Sequence, residues 1–264
     1  VYFSIAKNAA PELKMMQGVE INVFEGAHPA GNVGVQINKL NPINKGEVVW
    51  TMNLQDVIAL GRFVNKGIVD LAKYVALTGP EVYNPCYFKT IVGTNIQPMI
   101  AGNVYKENKL RYISGNVLSG TKIAENGYLG AFDSQITVIQ EGDEADELIG
   151  WLTPRFNKFS ASLSYPWQRF AKFCKCKFDF DARVLGGRRA IIMSGEYDKV
   201  FPMDIMPEQL IKAMIAKNLD QMEALGAYEV APEDFALCEF VCTSKMELQS
   251  IVREALDYMR KELE

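Results

Sequence analysis

LCEFVCTSK, residues 237–245, decides the fold of the last part of this 264-residue chain, and VFPMDIMP at residues 200–207 is a weaker copy of its pattern. Both match the end of the run C-x-x-C-x-x-C-x-x-x-C-P, whose cysteine thiolates hold a four-iron cluster. Two copies of that run have eight ligand positions, which here are Ile191, Ser194, Tyr197, Phe201, Pro232, Phe235, Cys238 and Cys242. Only Cys238 and Cys242 carry thiols, so both copies have lost most of the chemistry of the motif.

The two degenerate motif copies together predict a helical domain that resembles a two-cluster ferredoxin without clusters. Such a domain points to an electron-transfer complex and argues against this chain carrying the electrons. On a helix, the four-residue spacing of Cys238 and Cys242 would place both thiols on one face, as a remnant redox pair or two metal ligands. A zinc or cluster site needs about four ligands. We therefore interpret the two cysteines as buried thiols that pack as small hydrophobic groups, and we predict no catalytic residue and no metal site.

Composition narrows the function classes. The chain is 48% hydrophobic, and its length predicts two or three domains with sizeable cores. Its net charge of −4 gives no electrostatic argument for nucleic acid, whose partners carry basic patches. Five cysteines without a disulfide-type spacing indicate reduced thiols in a cytosolic compartment. The sequence shows no transmembrane or signal segment, and since it opens on Val1 we expect a fragment of a longer protein.

The pattern along the chain predicts an α/β and α+β multidomain fold with boundaries at 1–75, 76–142 and 143–264. The first region alternates at residues 19–24, has a second strand candidate at 47–52, and continues into an amphipathic helix after Asn53. Strand, helix and strand elements in this region indicate part of an open α/β layer.

The second and third regions differ in their periodicity. Residues 76–142 contain short strand candidates at 87–92, 104–105, 109–114 and 135–140, separated by glycine and proline turns. This pattern predicts a small mixed sheet of the β-grasp type. Residues 143–264 are mainly helical, with Pro207 at a helix start and helical spacing of apolar residues from 248 to 263.

Several stretches together carry a family resemblance: FEGAHPAG at 24–31, NLQDVIALG at 53–61, ISGNVLSG at 113–120, GEYDKVFPMDIMP at 195–207, and the stretch from Cys238 to Lys245. With these residues the chain resembles the C-terminal part of the A subunit of the sodium-translocating NADH:quinone reductases. It is more distantly similar to the C subunit of Rnf complexes and to the NADH-binding flavoprotein subunit of complex I. In those relatives, the equivalent helical domain carries iron–sulfur clusters.

The resemblance implies that residues 1–75 form a partial α/β flavin-site-like domain and that residues 76–142 form a β-grasp domain of the soluble-ligand-binding type. It also implies a peripheral subunit on the cytoplasmic face of the bacterial inner membrane, which assists reduction of ubiquinone or menaquinone coupled to sodium export. It implies the other subunits of the reductase as partners, with NADH, flavins and iron–sulfur centres bound by them, no cofactor bound in this chain, and quinone as a possible substrate. The enzyme would be the multisubunit complex, and this chain alone would be inactive. A non-catalytic scaffold that only assembles the complex is the alternative.

The loop after the first predicted strand is the one candidate ligand site. His28 is the only histidine, and with Pro29 and Gly31 it lies in a glycine-rich loop of the kind that contacts ligands in α/β layers. His28 could donate a hydrogen bond to a quinone carbonyl, or it could simply be a turn histidine. Gly26, Gly31 and Gly34 do not form G-x-G-x-x-G, and no P-loop occurs, so we predict no NADH, FMN or ATP site here.

Two further patterns lie between residues 165 and 180. The pair Cys174 and Cys176 stands among lysines, which could lower a thiol pKa, although a structural pair is the simpler interpretation. An aromatic run over residues 165–180 could meet a membrane-embedded partner or hold a quinone ring, although a core with a subunit interface is the simpler interpretation.

Overall fold

The computed structural model describes residues 1–105, 109–143, 159, 178 and 180–263. These residues divide into two compact units, unit 1 from Val1–Thr51 and Arg188–Glu264 and unit 2 from Met52–Gly187. The Cys174/Cys176 pair and most of the aromatic run lie outside the described residues. The division into three domains at 75/76 and 142/143 stays a prediction.

Unit 1 begins with a parallel strand pair. β1 (Tyr2–Ala6) and β2 (Glu20–Phe24) pair in parallel register, and α1 (Val33–Leu40) follows them. β2 confirms the strand predicted at 19–24. The strand predicted at 47–52 is wrong: this stretch has no ladder partner among the described residues, and its Trp50 side chain is 93% exposed.

The rest of unit 1 is helical. Its helices are α4 (Pro207–Ile215), α5 (Leu219–Ala224), α6 (Ala236–Val241) and α7 (Leu248–Leu263), with 3-10 turns at Ala227–Glu229 and Pro232–Phe235. Pro207 is the first residue of α4. Proline is favourable at this position because the first N–H of a helix has no intrahelical acceptor, so its absence loses no hydrogen bond. α7 buries an apolar stripe at one- and two-turn spacing, which consists of Leu248, Val252, Ala255 and Met259.

Unit 2 is built on a five-stranded mixed sheet. Its strands are β3 (Ala72–Thr78), β4 (Cys86–Ile91), β5 (Leu110–Ser114), β6 (Thr121–Ile123) and β7 (Gln135–Gln140), in the order β4-β3-β7-β5-β6. β3 and β7 pair in parallel at the centre, and the other neighbours are antiparallel. Residues of the sheet and of the short helix α3 (Gln97–Ile100) together form the hydrophobic core of unit 2. The prediction of short strands in this region is confirmed for three of its four candidates, while 104–105 forms only an isolated bridge.

β3 leaves the sheet at Gly79, where the backbone passes very close to β7. Gly79 has a φ of +123°, a backbone conformation that residues with a side chain rarely adopt. A Cβ at this position would lie 2.7 Å from the backbone nitrogen of Val138 and closer still to its carbonyl oxygen. The crossing therefore requires a residue without a side chain.

Helix α2 (Leu54–Lys66) opens unit 2 and confirms the helix predicted after Asn53. It ends at Gly67, which has the left-handed conformation typical of a helix C-terminus. Its apolar side chains Leu54, Ile58 and Phe63 remain between 39% and 51% exposed. The Gln55 amide fixes α2 to the sheet, because Gln55 Oε1 accepts from Tyr74 N at 2.8 Å and Gln55 Nε2 donates to Tyr74 O at 3.2 Å.

The structure confirms a mixed α/β multidomain fold with C-terminal helices. Within the described ranges, none of the helices has the length and apolar character required to cross a membrane.

Candidate functional sites: the degenerate cluster positions and the loop after β2

The degenerate cluster positions of both motif copies meet in the hydrophobic core of unit 1. Tyr197, Phe201, Phe235, Cys238 and Cys242 are all buried in it. Ile191 packs against the same core from its rim, and Ser194 and Pro232 are half-buried. The space between these positions is therefore occupied by side chains of the protein itself.

Two contacts join one motif copy to the other. The Tyr197 hydroxyl and Cys242 Sγ are 2.9 Å apart and hydrogen-bonded, and the rings of Phe201 and Phe235 lie 4.9 Å apart between centroids. Each contact joins the fourth ligand position of one copy to an earlier position of the other copy. Cys242, the fourth position of the second copy, meets Tyr197, the third of the first copy. Phe201, the fourth position of the first copy, meets Phe235, the second of the second copy. In two-cluster ferredoxins, the fourth cysteine of each run likewise ligates the cluster of the other run. The two contacts thus have the crossed arrangement of that pattern, and the likeness of this region to a ferredoxin stays a prediction.

A buried carboxylate holds the Ser194 position. Glu208, in the first turn of α4, accepts hydrogen bonds at Oε1 from Ser194 N at 2.9 Å, Ser194 Oγ at 3.0 Å and Gly195 N at 2.9 Å. Three donors on one oxygen fix the backbone of the first motif copy. Ser194 is therefore a structural residue of this loop.

The electrostatics of the core favour neutral side chains. Burial raises the pKa of the Cys238 thiol to about 12, and burial together with the Cys242 contact raises the pKa of Tyr197. A cysteine binds a metal ion as its thiolate, so a thiol that stays protonated is a poor metal ligand. Cys86, Cys238 and Cys242 are free thiols, and among the described residues no group of three or more His, Cys, Asp or Glu side chains could hold a metal ion.

The loop of residues 25–32 carries the predicted ligand candidates His28, Pro29 and Gly31. It lies at the carboxyl ends of the parallel strands β1 and β2 and leads into α1, the usual position of ligand sites in α/β layers. Gln36 Nε2 of α1 approaches the carbonyl oxygens of Ala30 and Gly31, at 3.4 Å each. The His28 imidazole is exposed and makes no hydrogen bond to any described residue, and its peptide bond to Pro29 is cis. The structure thus groups the three candidates, and their role stays a prediction.

Sequence reasoning missed two charged residues with unusual surroundings. Asp234 is buried in unit 1, and burial raises its pKa to about 6. Glu141 of unit 2 accepts from Arg111 at 2.6 and 2.9 Å and from Lys122 at 2.8 Å, and these two cations lower its pKa to about 2. No local pattern marks either one, because the partners that bury or pair them come from distant parts of the chain.

Comparison with known proteins gives two family matches and a group of relatives. Residues 1–69 match the family model described as "NqrA second alpha/beta domain", and residues 74–125 match the one described as "NQRA C-terminal domain".

Three relatives are each named as the A subunit of a Na(+)-translocating NADH-quinone reductase. The chain is 39% identical to that of Pasteurella multocida over 263 residues, which is 99% of this chain and 58% of the relative. It is 41% identical to the Rhodopirellula baltica protein over 93% of this chain and 53% of the relative. It is 40% identical to the Serratia proteamaculans protein over 92% of this chain and 54% of the relative. The chain spans a little more than half the length of these relatives.

Proposed function

Because the chain belongs to the family of the A subunit of Na(+)-translocating NADH-quinone reductases, we propose that it is a peripheral subunit that assists quinone reduction coupled to sodium export. Its partners are the other subunits of that complex, which bind NADH, flavins and iron–sulfur centres. It binds no redox centre of its own, lies at the cytoplasmic face of the bacterial inner membrane, and is held there by those partners. The quinone is ubiquinone or menaquinone.

The observation that carries this proposal is the filled core at the cluster positions. Tyr197 meets Cys242 and Phe201 meets Phe235 where a two-cluster protein would place its crossed ligands. A subunit with this core descends from an electron carrier and contributes binding and assembly instead of electron transfer. The helical part of unit 1 is then a ferredoxin-like domain without clusters. The sheet order of unit 2, with its first and last strands parallel at the centre and a hairpin partner outside each half, supports a β-grasp domain.

The ferredoxin-like descent predicts that one cluster site can be restored. In the triple variant Ile191→Cys, Ser194→Cys and Tyr197→Cys, Cys242 would complete four thiols across the two motif copies. After anaerobic reconstitution with iron and sulfide, we expect visible sulfur-to-iron absorption and about four irons per chain. The matched control adds Cys242→Ser to the triple variant and should bind far less iron. Equal iron in both proteins would contradict the crossed pairing.

The quinone role is tested by titrating the chain with a short-chain quinone and observing ligand-detected NMR signals. We expect saturable binding that weakens about three- to tenfold in His28→Ala, the effect of one lost hydrogen bond. Arg253→Ala, which removes an exposed side chain of α7, serves as the control and should bind as the unmodified chain does. Saturable binding with no difference between the two variants would exclude His28 as the contact.

The scaffold alternative is favoured by a separate observation, the apolar residues exposed on α2 and its flanks. An exposed apolar surface of this kind is typical of a protein–protein interface. Absence of saturable quinone binding in the titration would support a protein that only assembles the complex, and the proposed contact with quinone would then be wrong.

A further inference from the structure

Asp234 has an incomplete set of hydrogen bonds in the core of unit 1. It stands in the 3-10 turn Pro232–Phe235, and only 2% of its surface is exposed. Its Oδ2 accepts a hydrogen bond from Ala231 N at 2.8 Å. Its Oδ1 is the one buried side-chain nitrogen or oxygen without a partner among the described residues. Buried polar atoms are nearly always paired, so an exception of this kind calls for a reason.

The carboxyl group lies against the first turn of α1. A Cβ built on Gly34 would be 2.5 Å from Asp234 Oδ2 and 2.8 Å from Oδ1, so the absence of a side chain at Gly34 makes room for the carboxyl. Nearby, Val35 is buried in the same core as the helices, and Asn38 Nδ2 donates to Glu229 Oε2 at 2.7 Å. α1, which directly follows the loop of residues 25–32, is therefore docked on the helical core at the place where Asp234 is buried.

We propose that Asp234 is a proton-operated latch between the helical core and the first turn of α1. With the carboxyl neutral, α1 and the loop of residues 25–32 stay docked. With the carboxyl ionised, an uncompensated charge is left in the contact, and α1 opens more often. The latch concerns the mobility of this loop and stands whether or not quinone binds there.

The sign of the effect follows from the surroundings of the carboxyl. Burial raises the pKa of Asp234 to about 6, the Glu233 charge on the same turn raises it further, and the Ala231 amide lowers it. Within the described part of the chain, Glu233 is the one charged side chain that shifts the pKa of this carboxyl, and no cation does; α1 brings the backbone of Gly34 to it. Helices α6 and α7 also pack on the turn Pro232–Phe235, and the residues that they bury are Ala236, Cys238 and the apolar stripe of α7. The group has a raised pKa in the folded state, so its stabilising effect is complete below about pH 4 and is lost as pH rises through about 6.

Native-state hydrogen exchange of the full chain at pH 5, 6, 7 and 8 tests the latch, after correction for intrinsic exchange rates. We expect protection of the hydrogen-bonded amides of α1, at residues 36–41, to fall about tenfold between pH 5 and 8. In Asp234→Asn, whose side-chain oxygen can still accept from Ala231 N, protection should not vary with pH. Glu233→Gln removes the neighbouring carboxylate and should keep the pH dependence.

Two results would overturn the proposal. One is the same pH dependence in Asp234→Asn as in the unmodified chain. The other is a pH dependence shared equally by the β3 and β7 amides of unit 2, which would indicate a global loss of stability. Asp234→Ser, which is also uncharged and can cap Ala231 N, provides the same test if the asparagine variant does not fold.

Discussion

Replacing Gly79 by alanine will lower the free energy of unfolding of the sheet in unit 2 by about 3 kcal/mol or more, since backbone strain and overpacking each cost about 1–3 kcal/mol. Gly79 has a φ of +123°, and an added Cβ would lie 2.7 Å from Val138 N and closer to Val138 O. Val138 is at the centre of β7, so neither atom can move without breaking the ladder. Urea denaturation, monitored by circular dichroism, measures the change.

Gly93→Ala is the matched control for this prediction. Gly93 also has a positive φ, +71°, but a Cβ there would have no heavy atom within 4 Å. Its replacement should cost only the backbone strain, about 1 kcal/mol. Equal losses in the two variants would mean that the close approach of Gly79 to β7 contributes nothing and that backbone conformation alone sets both effects.

Replacing Phe235 by alanine will destabilise unit 1 by about 3–5 kcal/mol, the usual cost of deleting a buried aromatic ring. Phe235 is fully buried and stands at the second ligand position of its motif copy, where its ring packs on that of Phe201. The change would open a cavity in the core of unit 1, among the predicted cluster positions. Unfolding in urea, followed by the near-ultraviolet signal of unit 1 aromatic side chains, gives the size of the loss.

Phe132→Ala removes the same atoms from a ring that is 82% exposed and should change stability by less than about 0.5 kcal/mol. A loss below about 1 kcal/mol in Phe235→Ala would show that the core collapses into the space left by the ring. The degenerate motif would then be loosely packed, contrary to the arrangement described above.

Local sequence pattern predicts several elements. Alternation predicts β2, helical spacing predicts α2 and α7, and short runs bounded by turn residues predict β5 and β7. Local pattern fails for 47–52, whose apolar residues are typical of a strand although no described strand pairs with them. It also misses α1, because the glycines and the proline before it look like a turn and its core contact rests on Val35 alone.

For the candidate sites, local pattern likewise predicts positions along the chain but not the contacts between distant segments. Spacing alone predicts the eight cluster positions, and the place after a strand predicts the loop of His28, Pro29 and Gly31 as a ligand site; the functional role of both sets stays a prediction. The contact of Tyr197 with Cys242 and the close approach of Gly34 to Asp234 could not be predicted, because each joins segments more than forty residues apart. Local patterns carry no information on which distant backbone will pass a given side chain.

The Gln55 side chain has a consequence for self-association. β7 pairs with β3 only from Ala76 onward, so the N–H and C=O of Tyr74 would otherwise form an open strand edge. Such edges are templates for pairing with another chain and so for aggregation. The Gln55 amide satisfies both groups much as a neighbouring peptide would. One glutamine on α2 thereby protects the sheet of unit 2 from edge-to-edge association at this point.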